Sequence, residues 1–376
     1  MLLANPQKHL SFFNGSTTPH YGVVAGEVGY MLSLAYEYRL YKRKESLDFC
    51  GKLLKHLIGK HNSNCTLGYG LAGLAWGIRQ IQRIGITDES IEPWFENTES
   101  ILRHNFKEIL ESGNFDYFHG ASGILNYFLN SKRKVDVRTD ELVTTFLDKI
   151  HQQSIDYFFS PRDETTPDGQ SVRILNLGVP HGVSGIILLL LQIKKRTGRD
   201  VDGLITSFMD RLLTYCDNEM GNVFQVPSLV GDIERDSTLA WCYGDLPVLY
   251  ILTEATHLGI CDSKCQKILD FLSARTAKRR DYMDGNLTLC HGLPVITYFY
   301  YKLWKMTGHE LYESAFNYWE HELKSNFYMP HEQKNSKLEK DITSNFSLFN
   351  GFPGMYIVSL TIHRQIADDW DNILLF

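Results

Sequence analysis

The sequence predicts an all-α protein, an α/α toroid of about seven helical hairpins with an inner and an outer ring of helices. Three observations predict it. A Gly-led motif recurs seven times along the 376 residues. Each copy opens a run that is apolar nearly all round, as a helix buried on every face must be. Between these runs lie segments whose apolar residues recur at 3–4 spacing, as helices with one wet face require. No stretch alternates with period 2, so strands are not expected as a major component.

The copies are Gly26-Glu-Val-Gly29, Gly70-Leu-Ala-Gly73, Gly120-Ala-Ser-Gly123, Gly182-Val-Ser-Gly185, Gly244-Asp-Leu-Pro247, Gly292-Leu-Pro-Val295 and Gly351-Phe-Pro-Gly354. Their first glycines lie 44, 50, 62, 62, 48 and 59 residues apart. Runs such as Ile186–Ile193 and Val295–Leu303 supply the inner helices. The outer helices come from the stretches around Leu53, Leu102, Phe146, Phe208, Leu269 and Trp319. Glycine at the inner-helix starts favours a closed ring over an open solenoid, because converging inner helices need close backbone approach. Thirteen helices are accounted for this way. A fourteenth must come from residues 1–20 or from the Asp368–Phe376 tail. Residues 1–376 then form one toroid domain.

Composition narrows the function. Lys and Arg total 38 against 44 Asp and Glu, a net charge of −6. That argues against nucleic-acid binding, which needs a basic stripe. The most apolar segment spans eight residues against the ~20 of a bilayer helix, so no membrane insertion is expected. No basic n-region precedes an apolar stretch at the N-terminus. Seven scattered cysteines do not read as a disulfide framework and point to a reducing, cytoplasmic compartment.

The chemistry sits at one register of the repeat. The residues just before the seven glycines are Ala25, Tyr69, His119, His181, Tyr243, His291 and Asn350; one position earlier stand Val24, Gly68, Phe118, Pro180, Cys242, Cys290 and Phe349. In a toroid, equivalent positions fall at one level, so three His, two Cys and two Tyr gather at one mouth. Cys242 and Cys290 are one repeat apart, and His291 adjoins Cys290. Neighbouring hairpins can thus offer Cys242, Cys290 and His291 to one ion. Two thiolates and an imidazole with a fourth position open is a donor set for catalytic Zn²⁺, and helix N-termini favour the thiolates. A lone Cys is ordinarily a small buried hydrophobe, and Cys50, Cys65 and Cys216 read that way. Cys261-x-x-x-Cys265 has metal spacing but no nearby His, and reads as packing or surface.

Trp241-Cys-Tyr-Gly-Asp245 and Cys290-His-Gly292 resemble the lanthionine synthetase C-like cyclases, the nisin-cyclase type. So do Asn176-Leu-Gly-Val-Pro-His-Gly182, Asp116-x-x-x-Gly120 and Asn350-Gly-Phe-Pro-Gly354, in the family's order. The resemblance implies a zinc enzyme that adds peptide cysteines to dehydroalanine or dehydrobutyrine in a ribosomally made precursor, closing thioether rings in lantibiotic maturation. It implies zinc on Cys242, Cys290 and His291, His181 and Asp116 as acid–base candidates, and Tyr243 beside them. It also implies assembly with a dehydratase and a membrane exporter, through which alone this chain would reach a membrane. Asp116 can orient His181 or cap the helix near Gly120; Asp245 can cap its helix or support a ligand. His119 shares the register without being required by the family pattern and reads as a substrate contact.

Two departures stand out. Many family members carry Arg four residues before the first zinc Cys, where this chain has Thr238, with Arg235 three further upstream. Some members also carry an inserted domain of roughly a hundred residues, for which the intervals here leave no room. Two other functions compete: another zinc-thiolate alkylation, such as prenyl transfer, and a non-catalytic peptide-binding toroid with structural zinc. The first would need a cationic diphosphate pocket, and no basic cluster falls at the ring register.

Overall fold

Each inner helix starts where its Gly motif places it, and each but the last is followed by an amphipathic partner. The computed structural model describes residues 21–59, 63–87, 89–165, 169–215, 229–231, 237–282, 286–328, 346–364, 366–367 and 369–376. The inner helices are α1 (Val28–Tyr41), α3 (Leu71–Arg83), α5 (Ala121–Ser131), α8 (Val183–Thr197), α10 (Asp245–His257), α12 (Leu293–Thr307) and α14 (Phe352–Arg364). The outer ones are α2 (Lys44–Ile58), α4 (Glu92–Glu111), α6 (Val137–His151), α9 (Asp202–Thr214), α11 (Ser263–Thr276) and α13 (Glu310–Tyr328), with a single turn, α7 (Ile155–Phe158), beside them. Every inner helix packs on the next, and α14 packs back on α1, so the ring is closed. In α8 every side chain from Val183 to Ile193 is buried, whereas α2 buries one stripe, chiefly Phe49, Cys50, Leu53 and Leu57.

The turns leading into the inner helices are tied in a circular backbone belt. Val24 donates its N–H to Gly68 (2.9 Å), Gly68 to Phe118 (2.9 Å), Tyr117 to Pro180 (2.9 Å) and Val179 to Cys242 (2.8 Å). Trp241 then donates to Cys290 (3.0 Å), Cys290 to Phe349 (3.1 Å) and Leu348 to Val23 (3.0 Å), which closes the circle. Both proposed metal cysteines are links of this belt.

An asparagine six residues before the motif Gly shapes these turns. Asn64, Asn114, Asn176 and Asn286 each accept, on the side-chain oxygen, the N–H two residues on, a turn these side chains favour. The carbonyls of Asn64, Asn114 and Asn286 accept the first N–H of the following helix, one of the donors that a helix leaves unpaired. The second glycines fit under the same turns: a Cβ at Gly123 would lie 2.0 Å from the Tyr117 carbonyl, and one at Gly185 2.1 Å from that of Val179. The glycines therefore serve the approach of each helix to its own lead-in turn, more than the approach of one inner helix to another.

The bore is filled in part by the chain itself. Residues Asp369–Leu374 form a 3₁₀ helix inside the ring, not the fourteenth outer helix that the tail was a candidate for; residues 1–20 lie outside the described set. Asn372 accepts from the Trp76 indole (2.8 Å) and Leu374 from the Trp241 indole (3.0 Å). Asn126, Tyr298 and Thr361 bond the same segment, Gln192 donates to Leu375 just beyond it, and the Phe376 ring packs on Tyr250. Every inner helix after α1 thus touches residues 369–376.

Among the described residues the strands are few: β1 (Arg162–Thr165), β2 (Ser171–Asn176) and β3 (Leu229–Gly231) make one antiparallel sheet in the order β1-β2-β3. Cys261 and Cys265, read from sequence as packing or surface thiols, are joined in a disulfide at the start of α11. Cys261 precedes the Asp262 N-cap and Cys265 lies in the first turn, with Cα atoms 5.4 Å apart, inside disulfide reach. Cys50 and Cys65 are buried free thiols; Cys216 lies outside the described residues. No helix among the described residues is long and apolar enough to cross a membrane.

Candidate metal centre and acid–base pair

The turn between Thr238 and Gly244 carries the first thiol. Gly244 has φ +88°, and a Cβ there would sit 2.1 Å from the Thr238 carbonyl, so only glycine closes this turn without strain. Thr238 stands where five of the other six repeats have Asn, the first repeat having His20. Beside it, the fully buried Asp245 pairs with Arg275, Arg279 and the Ser237 hydroxyl. Arg279 also donates to the Ser237 carbonyl (3.0 Å). Asp245 therefore holds the cysteine turn against α11. Arg235 lies outside the described residues.

Cys242, Cys290 and His291 converge. One ligand atom from each lies within 4.8 Å of the others, with Cys242 buried and the other two half-buried. A tetrahedral zinc with Zn–S bonds of about 2.3 Å spaces two sulfurs by roughly 3.8 Å, so small side-chain rotations suffice. The titration of the thiols fits the same reading. Hydrogen bonding from Cys290, helped by His291, holds the Cys242 thiol below its ordinary value against the opposing effect of burial. Cys290 is pushed well up, by its bond to Cys242 and by burial. Two sulfurs sharing one proton are a site where a divalent cation can take the proton's place.

Across the mouth stands the second group. His181 Nδ1 lies 2.6 Å from one oxygen of Asp116, while the other oxygen accepts the His119 N–H at 2.6 Å. Asp116 thus serves a turn bond and the His181 ring together, and does not cap α5. Tyr243 accepts from the Asn176 amide at 3.2 Å. The metal set, His181, His119, Tyr69, Tyr243 and Thr238 line one pocket of about 480 Å³. No Lys or Arg is among its described lining residues. Phe118, Trp241 and Phe349 pack ring on ring, with centroids 4.8–5.4 Å apart, and Phe118 and Phe349 reach its wall. A second pocket of about 440 Å³, lined by Asn114, Arg162 and Asn176, shares His181 and Tyr243 with the first.

The structure therefore brings together all six residues singled out from sequence, and His119 with them. Sequence reading missed the Asn turns, although an Asn six before the Gly in five repeats was there to be seen. It also missed Arg275 and Arg279, which reach Asp245 from the outer ring and carry no register signal.

Residues 20–375 match a family model described as lanthionine synthetase C-like protein. Among solved structures the chain is similar to nisin cyclase, with a TM-score of 0.76 and 15% identity over 99% of this chain and 96% of that one, a likeness of fold. A cellobiose 2-epimerase from Bacillus thermoamylovorans superposes more loosely, with a TM-score of 0.41 and 11% identity over 88% of each chain. No curated protein matches the sequence.

Proposed function

We propose that this chain, which belongs to the lanthionine synthetase C-like family, is a zinc-dependent cyclase that adds peptide cysteines to dehydroalanine or dehydrobutyrine in a dehydrated precursor. The observation that carries the reading is one pocket holding a two-thiol, one-imidazole donor set opposite a carboxylate-held histidine. When bound by Cys242, Cys290 and His291, zinc supplies a Lewis acid that favours the thiolate form of a substrate cysteine near neutral pH.

The rest is proton handling and orientation. Ring closure breaks the substrate S–H bond and the C=C π bond, forms C–S at the β-carbon and needs a proton on the α-carbon. With Nδ1 engaged by Asp116, Nε2 of His181 is the nitrogen that takes the thiol proton and delivers one to the α-carbon. The Asp116 carboxylate fixes ring orientation and tautomer, as in other carboxylate–imidazole pairs. Negative charge collects on the peptide carbonyl oxygen in the enolate, and the Tyr243 hydroxyl is placed to donate to it. That role falls to Tyr243 because Thr238 offers no cation. Phe118 and Phe349 keep water from the floor, which strengthens these polar contacts. Dehydro-residues must be made first, so a dehydratase acts upstream.

The test is incubation with a dehydrated, cysteine-containing precursor, followed by thiol alkylation and mass measurement. Cyclisation leaves the mass unchanged, so loss of alkylatable thiols is the expected readout. Thiols that persist with zinc bound and the matching precursor present would overturn the reading in favour of a non-catalytic peptide-binding toroid.

A further inference from the structure

His119 is held in a way that its exposed position does not require. Its ring stacks on Tyr69 with a centroid distance of 5.1 Å and an interplanar angle of 10°, and on His181 at 5.3 Å and 12°. Three flat rings from three successive repeats thus form one column along the pocket wall. The His119 backbone is pinned as well. Its N–H donates to Asp116 at 2.6 Å and its carbonyl accepts from the Asn114 amide at 3.2 Å. The same carboxylate holds His181. Desolvation pushes His119 below the ordinary imidazole value, and the neighbouring His181 pushes the same way against Asp116. A neutral ring is the better partner face for a neighbour that carries charge during turnover.

We infer that His119 is a positioning residue for His181: wedged between Tyr69 and His181, it fixes the His181 imidazole plane and so the direction in which that ring exchanges its proton with a substrate in the pocket. The Asp116 bond restrains one point of the His181 ring and leaves rotation about the Nδ1···O line. A stacked face removes that rotation, because a tilt of the ring would lift it off its partner. On the opposite face of His119, Tyr69 completes the sandwich and stops the column from yielding. The identity of the middle residue matters through its flatness rather than its proton, so an aromatic ring of similar size serves there. A side chain without a ring does not.

The inference rests on His181 as the proton-transfer group of the proposed cyclase, and its test is chosen to read the ring itself. A histidine N–H bonded to a carboxylate at 2.6 Å gives a far-downfield proton resonance when it is held and protected from exchange. In the zinc-loaded protein, His119→Ala should lose this resonance to exchange, whereas His119→Phe should keep it. The Trp241 indole proton, bonded to Leu374 (3.0 Å), should stay in place in both variants and so reports an intact fold. With the dehydrated precursor, the turnover rate of His119→Ala should fall about tenfold with little change in KM, and His119→Phe should restore most of it. An unchanged resonance in His119→Ala, or its loss in both variants with the Trp241 signal intact, overturns the inference. Loss and rescue of the resonance in a protein that forms no thioether would leave the ring geometry standing and sink the cyclase reading alone.

Discussion

Asp116→Asn isolates the charge of the carboxylate from its turn-forming role. Asp116 makes two bonds of 2.6 Å, one accepting the His119 N–H and one meeting His181 Nδ1. An Asn carbonyl can keep the first, so the turn into α5 and the belt bonds of Gly68 and Tyr117 should survive. The second bond changes kind: an amide N–H donor now faces Nδ1, which must become the acceptor and move the ring proton to Nε2. A charge-assisted bond to a half-buried group contributes about 1.5–3 kcal/mol. The tautomer change costs more, because Nε2 then starts each cycle unable to accept the thiol proton. A fall in turnover of roughly 10²–10⁴ is expected, with zinc content and unfolding temperature close to those of the parent. The alkylation and mass assay, run as a time course, measures it. A variant with parental turnover, intact zinc and intact fold would refute the assignment of proton transfer to the Asp116–His181 pair.

Other perturbations test the metal site and the ring. Cys290→Ala should bind zinc at least ~100-fold more weakly, read by metal analysis after dialysis; full occupancy would refute the ligand set. Zinc affinity should rise with pH, because the thiol pair must lose its shared proton. The rise should be about one log unit per pH unit near neutrality and steeper where Cys242 regains its own proton, as measured by competition with a chelator; a flat profile would contradict proton displacement. Gly123→Ala should destabilise by about 1–3 kcal/mol, since its Cβ would meet the Tyr117 carbonyl at 2.0 Å and Leu67 Cβ at 2.7 Å. Gly51→Ala, within α2 and with nothing within 4 Å, should stabilise by about 0.4–1 kcal/mol. Thermal unfolding compares the two, and equal shifts would refute the packing argument.

What the sequence made legible was whatever recurs once per repeat. Cys242, Cys290, His291 and His181 share a register, and a ring converts shared register into shared height, so their convergence followed before any contact was known. Asp116 was half legible: from sequence it could orient His181 or cap the helix near Gly120, and only the fold shows one oxygen on His181 and the other on the His119 N–H. The 3₁₀ segment was not legible, because Trp370, Ile373, Leu374 and Phe376 look like one more apolar helical face. Its partners Trp76 and Asn126 lie 296 and 246 residues away from Asn372. Thr238 read as the loss of an arginine. In the structure it is also the place where the repeat gives up its asparagine, next to an Asp245 cluster that braces the turn from outside.

The belt imposes an order on how the molecule comes to exist. Its closing contacts join positions as far apart as Val24 and Asn350, 326 residues along the chain. The Trp241 indole that precedes the Cys242 thiol finds its acceptor 133 residues later, at Leu374. Contacts of such long separation form late, after the entropy of a large loop has been overcome. During synthesis the donor set is complete once His291 has been made, yet the circle that aligns its turns stays open until residues 348–374 follow. A nascent chain would therefore present Cys242 and Cys290 as loosely held thiols, prone to metal exchange and oxidation, and the last helix to join the ring is also the one that turns them into a site.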